Sequence, residues 1–517
     1  MTGNDDGLEK RVYPRISNLT LTILALLLVK LVLQVYLFRI GFLNVSADEY
    51  SRGITAARWA LDGTLPTMIR MGDWLPFETY LNGLALMVWD NVIWTPRITV
   101  FIFSCFLLVY FVKLVQYLFG RLTVTFLAGL LLVFSPWFVW LSGTPMLDIY
   151  YLAPCVAGLY YIVKWISERR DLYLVIAGLL FFFSTGFHSQ SWILVNVVNL
   201  CLCYFAWRML MQKDHKGLAK LIGFFILGNL FIIIYLPSDY LATGQWLAMF
   251  QRHTQRTMEY YGGYDIGLFH KLVYYPELVV TSAKMIWIFF PIGLYWLRVE
   301  PEKLLKLFPV TIGFGILVFY SLFNVLSVPA AAAPGRYSLP FTILFLPYAS
   351  LGIYVLFEYS GYFTDVRIRR VAVALLMISI LALNLMKVLD YEVKSAKAAV
   401  SIGRYLKDSM EKDGADPNET VMVELSYWDY LYVQLAARHF DRVRFDRKES
   451  NEFTGIPSDI LSMGDEDTLN YMKRGDTKLI AVKDDAIKKK LDSLAFTHKI
   501  KELDVWAVYS IDLKNNK

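Results

Sequence analysis

Leu24-Ala-Leu-Leu-Leu-Val-Lys-Leu-Val-Leu33 is an apolar run, and just past it stands Val45-Ser-Ala-Asp-Glu-Tyr-Ser-Arg-Gly53. The run belongs to a segment from about residue 17 to about residue 40, long enough to cross a hydrocarbon core of ~30 Å. The adjacent acids Asp48 and Glu49 therefore fall at a membrane surface. An isolated Asp-Glu pair in such a place is usually a solvated loop. This pair carries more weight because apolar segments return to the same side again and again, and several of the returns carry a polar group.

The bulk composition places the class. The 517 residues are 56% hydrophobic and 19% charged, with a mean hydropathy of +0.44. Soluble domains rarely reach that level, so the chain reads as a polytopic α-helical membrane protein. The net charge of +6 is modest, and the basic residues sit in short loops between apolar runs. That pattern fits membrane orientation and not nucleic-acid binding. Cys105, Cys155, Cys201 and Cys203 all lie within apolar segments, which indicates neither a disulfide nor a thiolate metal site. Aromatics flank the apolar runs, as in Ser135-Pro-Trp-Phe-Val-Trp140, where interfacial belts belong.

Threading the spans in order gives one consistent topology. Lys10, Arg11 and Arg15 precede the first span, so the N-terminus is expected in the cytoplasm, with the first helix uncleaved. Residues 41 to about 96 form a long external loop. Ile54, Ala57, Trp59, Ala60 and Leu61 recur there at helical spacing, as do Tyr80, Leu84 and Val88, which predicts one or two interfacial helices. Further spans are expected over residues 97–117 and 122–141, with Gly120-Arg121 as the inner turn. The chain then passes through the outer loop Ser142-Gly-Thr-Pro-Met-Leu-Asp148, the inner loop Ser167-Glu-Arg-Arg-Asp171 and the outer turn Phe187-His-Ser-Gln-Ser191. A second long external loop covers residues 238 to about 284. A short one, Val328-Pro-Ala-Ala-Ala-Ala-Pro-Gly-Arg-Tyr337, joins the ninth and tenth spans. Lys and Arg concentrate in the segments placed inside, so about eleven spans are expected, with the tail outside.

From about Tyr391 the composition turns charged and soluble. Val421–Leu425, Lys478–Lys483 and Val505–Ile511 read as strands, and Tyr427–His439 and Asp485–Leu494 as helices. Two domains are thus expected: a membrane domain over 1–390 and a small extracytoplasmic α/β domain over 391–517. The tail carries no phosphate loop, metal-spaced cluster or nucleophile elbow, so a substrate-covering or partner-binding role is expected of it.

Taken together, the ordered motifs of residues 17 to 390 resemble the GT-C-fold glycosyltransferases, membrane enzymes that take sugar from a polyprenyl-phosphate carrier. The resemblance is to the protein O-mannosyltransferases and the aminoarabinose transferases of lipid A. Asp48-Glu49-Tyr50 stands where that family has an Asp-Glu motif in its first external loop. Trp74-Leu-Pro-Phe-Glu-Thr-Tyr-Leu81 is similar to its Pro-Pro-Leu stretch, keeping one proline, and Thr95-Pro-Arg-Ile98 matches the Arg that opens the second span. Leu118-Phe-Gly-Arg121 and Ala128-Gly-Leu-Leu-Leu-Val-Phe-Ser-Pro136 match the third-span block, Asp148 the acid of the second external loop, and Arg336-Tyr-Ser-Leu-Pro340 the segment opening the tenth span. After the fifth span, where relatives often have Lys, this chain has His188.

The resemblance implies an inverting glycosyltransferase of the plasma membrane, acting on the extracytoplasmic side. Its donor would be a polyprenyl-phosphate sugar, and its acceptor a hydroxyl on a lipid, a protein or a cell-envelope glycan. Asp48 is the expected general base, with Glu49 as its rival and Asp148 as a further acid of the site or a cap on the fourth span. Arg336, with His188 and Tyr337, is expected at the donor phosphate, unless Arg336 only snorkels to headgroups. Glu78, Tyr260 and Tyr261 are expected pocket lining. No cofactor is required by this chemistry, although Asp48, Glu49 and Asp148 have the oxygen chemistry for Mg or Mn. A transporter or flippase of lipid-linked sugars is the competing class. It should bury ionisable groups near the midplane and break helices in matched halves, whereas here the polar groups gather at one face.

Overall fold

The computed structural model describes residues 17–41, 47–63, 74–252, 267–326, 335–359, 365–389, 396–412, 416–425, 429–447 and 458–513. Tyr260, Tyr261 and the expected domain boundary at 390/391 lie outside these residues. Among the described residues, fifteen α-helices precede that boundary: α1 (Asn18–Arg39), α2 (Ala47–Asp62), α3 (Pro76–Val88), α4 (Trp94–Phe119), α5 (Leu122–Val133), α6 (Pro136–Leu141), α7 (Leu147–Glu168), α8 (Asp171–Phe187), α9 (Ser189–Met211), α10 (His215–Thr243), α11 (Leu268–Ser282), α12 (Lys284–Trp296), α13 (Lys303–Leu326), α14 (Leu339–Tyr359) and α15 (Val366–Leu389).

Among the described residues, eight helices are long and apolar enough to cross a membrane: α1, α4, α7, α9, α10, α13, α14 and α15. The other three expected spans are less regular. One is α8, an apolar helix of 17 residues. One is the pair α11 and α12, bent by 96°. The last was expected as one helix over 122–141 and is broken instead. Pro136 opens α6, and a residue before proline is driven to extended backbone, as Ser135 is at φ −65°, ψ 124°. The turn expected at Gly120-Arg121 is present, with Gly120 closing α4 at φ 66°.

The spans pack around α14, which is almost wholly buried, while α15 lies at the rim. Van der Waals fit holds helices together where no hydrophobic gradient exists, and it requires small residues at the crossing. Gly293 of α12 and Gly352 of α14 supply them. A Cβ on Gly293 would stand 1.9 Å from the Tyr348 carbonyl oxygen, and one on Gly352 would stand 2.0 Å from that of Phe289.

The tail is a five-stranded mixed sheet. Its strands are β1 (Thr420–Val423), β2 (Val443–Phe445), β3 (Thr477–Val482), β4 (Thr497–Leu503) and β5 (Trp506–Ile511), in the order β2-β1-β3-β5-β4. β1 is parallel to β2 and β3, while β3–β5 and β4–β5 are antiparallel. The three strands legible in the sequence are the central ones. The two that were not, β2 and β4, are edges, one only three residues long and the other polar as Thr-His-Lys-Ile-Lys-Glu-Leu. Helices α16 (Lys397–Met410) and α17 (Asp429–Ala437) lie on this side of the sheet's core and continue it onto α2. The apolar face of α2 therefore holds the tail rather than lipid. α3 leaves Leu84, Met87 and Val88 exposed.

A side chain at Gly293 meets backbone that cannot swing aside. Gly293→Val should therefore destabilise the bundle by about 3 kcal/mol, lowering the thermal unfolding midpoint in detergent. Gly223→Ala on α10, where an added Cβ meets nothing within 4 Å, should leave it in place. Equal midpoints for Gly293→Val and wild type would contradict the close crossing.

Candidate functional site

Asp48 and Glu49 share the first turn of α2. Neighbours on a helix lie about 100° apart, so they meet different cations. Glu49, 2% exposed, accepts a hydrogen bond from Arg97 Nη2 at 3.0 Å. Arg97 is also buried. Its Nη2 donates to the Tyr50 hydroxyl at 3.2 Å, and its Nη1 to the Ile93 carbonyl one turn back at 2.8 Å. Tyr50 in turn lies against Tyr432 of α17, ring centroids 4.0 Å apart. Glu49 is thus held in a structural pair, whereas the Asp48 side chain is 39% exposed.

Arg336 draws the remaining acids together. It sits in a 3-10 turn, Gly335–Ser338, that opens α14 and is closed by a hydrogen bond from Ser338 Oγ to the Gly335 carbonyl at 2.8 Å. A Cβ at Gly335 would stand 2.5 Å from the Trp137 ring, so a residue without one lets the turn lie on α6. Arg336 Nη2 is 3.4 Å from Asp48 Oδ2, and its Nε is 3.6 Å from Asp148 Oδ2. The two acids reach it from residues 100 apart in sequence. Asp148 is 2% exposed, and its Oδ1 has no hydrogen-bond partner. It lies in the first turn of α7, where the helix dipole favours a negative charge. The cap position belongs to Met146, which makes no side-chain cap bond.

The other expected residues surround this group. Tyr337 lies beside Arg336, whose guanidinium is 5.6 Å from its ring centroid. His188 Nδ1 accepts the Gln190 amide at 2.9 Å at the start of α9, and the ring stands 5.3 Å from Tyr151 and 6.3 Å from Tyr337. Nδ1 being an acceptor, the proton of the neutral ring is on Nε2. Glu78, in the first turn of α3, is buried and takes a hydrogen bond from Asn82 Nδ2, and Asn82 Oδ1 takes one from the Tyr150 hydroxyl at 2.9 Å. Burial pushes the Glu78 carboxyl up to about 7, against the pull of Arg52 and Asn82. Farther along the face of α14, Thr342, Leu346, Ala349 and Ile353 line an apolar groove that α5 and α6 close with Leu131 and Pro136.

Asp48, Glu49 and Asp148 do not form a three-carboxylate cage. Arg97 occupies Glu49 and Arg336 lies between the other two, and no group of three or more His, Cys, Asp or Glu able to hold a metal ion occurs among the described residues. Two residues of the site went unread in the sequence. Arg97 was matched only as a span opener, and its partner Glu49 is 48 residues away. Arg52 was passed over, although it follows Asp48 by four residues and so shares its helix face. Lys30 is also buried, in the middle of α1, donating to Ser142 Oγ at 2.6 Å with its ammonium 4.1 Å from the Phe138 ring centroid.

No family model matches the chain, and no curated protein does. Solved structures do. ArnT from Cupriavidus metallidurans, in a crystal structure bound to undecaprenyl phosphate, superposes with a TM-score of 0.65 over 94% of this chain and 97% of its own, at 11% identity. The apo structure of the same protein gives a TM-score of 0.60 over 96% and 98%, again at 11% identity. The chain therefore has the GT-C fold across both its membrane bundle and its tail.

Glu78 gives the site a pH signature. A carboxyl raised from 4.5 to about 7 holds its proton more tightly in the folded chain. Its contribution to stability is complete below about pH 4.5 and is lost as pH rises through about 7. The unfolding midpoint should fall between pH 5 and pH 8, and Glu78→Gln, which keeps the neutral shape, should flatten part of that fall. An unaltered pH slope in Glu78→Gln would contradict a neutral Glu78.

Proposed function

We propose that this chain is a glycosyltransferase that moves a sugar from a polyprenyl-phosphate donor to an acceptor hydroxyl on the extracytoplasmic side of the plasma membrane. The observation that carries the reading is Arg336 lying between the part-exposed carboxylate of Asp48 and the buried one of Asp148, in the turn that opens α14, the helix whose later residues from Thr342 to Ile353 line an apolar groove. The orientation that goes with it has the N-terminus in the cytoplasm and the tail outside, on the same side as Asp48. The acceptor is a lipid, a glycan or a protein.

Transfer needs an acceptor oxygen made nucleophilic and a leaving phosphate whose charge is met. Asp48 takes the proton of the acceptor hydroxyl as the oxygen attacks the anomeric carbon. The bond from that carbon to the phosphate oxygen breaks, and its electron pair leaves with the phosphate. Attack opposite the leaving group inverts the anomeric centre. Arg336 meets the phosphate through charge-assisted hydrogen bonds, and in this reading His188 contributes another. Asp148 holds the Arg336 fork in direction, and the groove along α14 accepts isoprene units of the carrier. No step is routed through a divalent cation.

The fold by itself is shared with the neighbours; the chemistry is tested at two side chains. Asp48→Asn keeps the shape and removes the proton acceptor, so transfer should be abolished while expression and donor binding persist. Arg336→Gln should slow turnover at saturating donor by about a hundredfold, on the order of 3 kcal/mol, with Arg336→Lys in between because it keeps charge but loses the planar fork. Near wild-type transfer by Asp48→Asn would sink the base assignment. Turnover within about threefold of wild type for both Arg336 variants would reduce Arg336 to a membrane anchor.

A further inference from the structure

The site contains a second guanidinium with two buried nitrogens that have no hydrogen-bond partner among the described residues. Arg52 stands one turn after Asp48 on α2 and is 4% exposed. Its Nε and Nη1 are buried without a hydrogen-bond partner. No ion pair within 4.0 Å engages it among the described residues, although it acts electrostatically on both Asp148 and Glu78. Its guanidinium carbon lies 4.9 Å from the centroid of the Trp74 ring, within cation–π reach. Buried donors left unmade are unfavourable by about 1–3 kcal/mol each. Two such donors on one side chain, beside the carboxylates of Asp48 and Asp148, suit a ligand that brings acceptor oxygens.

Charge balance identifies the ligand class. A sugar phosphodiester donor carries one negative charge on its phosphate. When the bond to the anomeric carbon breaks, the electron pair stays on the phosphate oxygen and the departing monoester carries two. Arg336 is already shared between Asp48 and Asp148, so it does not meet that second charge alone. Glu78, the acid nearest in kind to a partner for Arg52, is hydrogen-bonded to Asn82.

Building on the glycosyltransferase reading, we propose that Arg52 is a second phosphate-binding residue, which meets the charge that develops on the polyprenyl phosphate as it leaves and holds the monoester product. Its unpartnered Nε and Nη1 donors are the pair offered to two phosphate oxygens.

The test is binding of undecaprenyl phosphate to the purified full chain in detergent, with undecaprenol, the same lipid without phosphate, as the control. Arg52→Gln should bind undecaprenyl phosphate at least about tenfold more weakly and undecaprenol as wild type does, with Arg52→Lys intermediate for the phosphate alone. An unchanged phosphate affinity in Arg52→Gln overturns this assignment and leaves the carrier reading standing. Equal weakening for both lipids also overturns it, because Arg52 would then only shape the lipid groove. If wild type itself prefers the phosphate no more than the alcohol, the carrier reading fails and this assignment with it. Should Arg52→Gln not fold, Arg52→Lys decides: a loss confined to the phosphate supports the role, and none overturns it.

Discussion

The buried pair of Glu49 and Arg97 is the constraint on which the site depends. Taking two charges out of water is unfavourable, and removing one partner of such a pair typically costs about 3–5 kcal/mol because the other is left buried alone. Here neither is left so. Arg97 spreads its donors over a carboxylate, a phenol and a main-chain carbonyl. The outcome is geometric: the start of α2 is fastened to the start of α4. With Glu49 turned inward, the rotation of α2 is set, and Asp48, one residue back, faces Arg336. Arg52, one turn on, follows the same register. A single ion pair therefore sets the direction of one carboxylate and one guanidinium on α2.

The same contact explains what the tail does for the membrane domain. Tyr432 lies on Tyr50, Leu435 lies against Gly53, and Arg438 pairs with Asp90 at 2.6 Å. Helix α2 is thus gripped from the bundle by Arg97 and from the tail by α17, within one hydrophobic core. The tail shows no chemistry of its own in its sequence, and its packing supplies a reason for its presence. Helices at a membrane surface are short of apolar neighbours, and this one borrows them from the sheet domain. At the other end of α4, Glu300 pairs with Arg121 at 2.7 Å and with Lys306 at 2.8 Å, tying the turn between α4 and α5 to the segment between α12 and α13.

Much of this was legible in the chain. Apolar length foretold the eight helices long enough to cross a bilayer, because a bilayer imposes that length, whereas three of the eleven expected spans are shorter, bent or broken. Asp48, Asp148 and Arg336 were singled out as members of an ordered pattern, and they converge although 288 residues separate the first from the last. What stayed hidden had physical causes. The break at Ser135 was signalled by Pro136, but an apolar run looks the same whether or not it is one helix. The edge strands β2 and β4 carry little hydrophobic alternation because half their surroundings are water. Glu49 looked like a rival base because its partner is set by tertiary packing, which no local pattern encodes. Arg52 was visible as an i+4 neighbour of Asp48, yet its unmet donors are a property of the folded site alone.

The central claim is that the acids and guanidiniums at the head of α14 break a bond to phosphate. The direct measurement is the fate of a polyprenyl-phosphate sugar, labelled in both halves, given to the purified chain in sealed vesicles with acceptor. The account predicts that free polyprenyl phosphate appears in step with sugar on the acceptor, and that the new linkage has the anomeric configuration opposite to the donor's. Movement of the intact lipid-linked sugar across the membrane with no phosphate released, or a product of retained configuration, would contradict it.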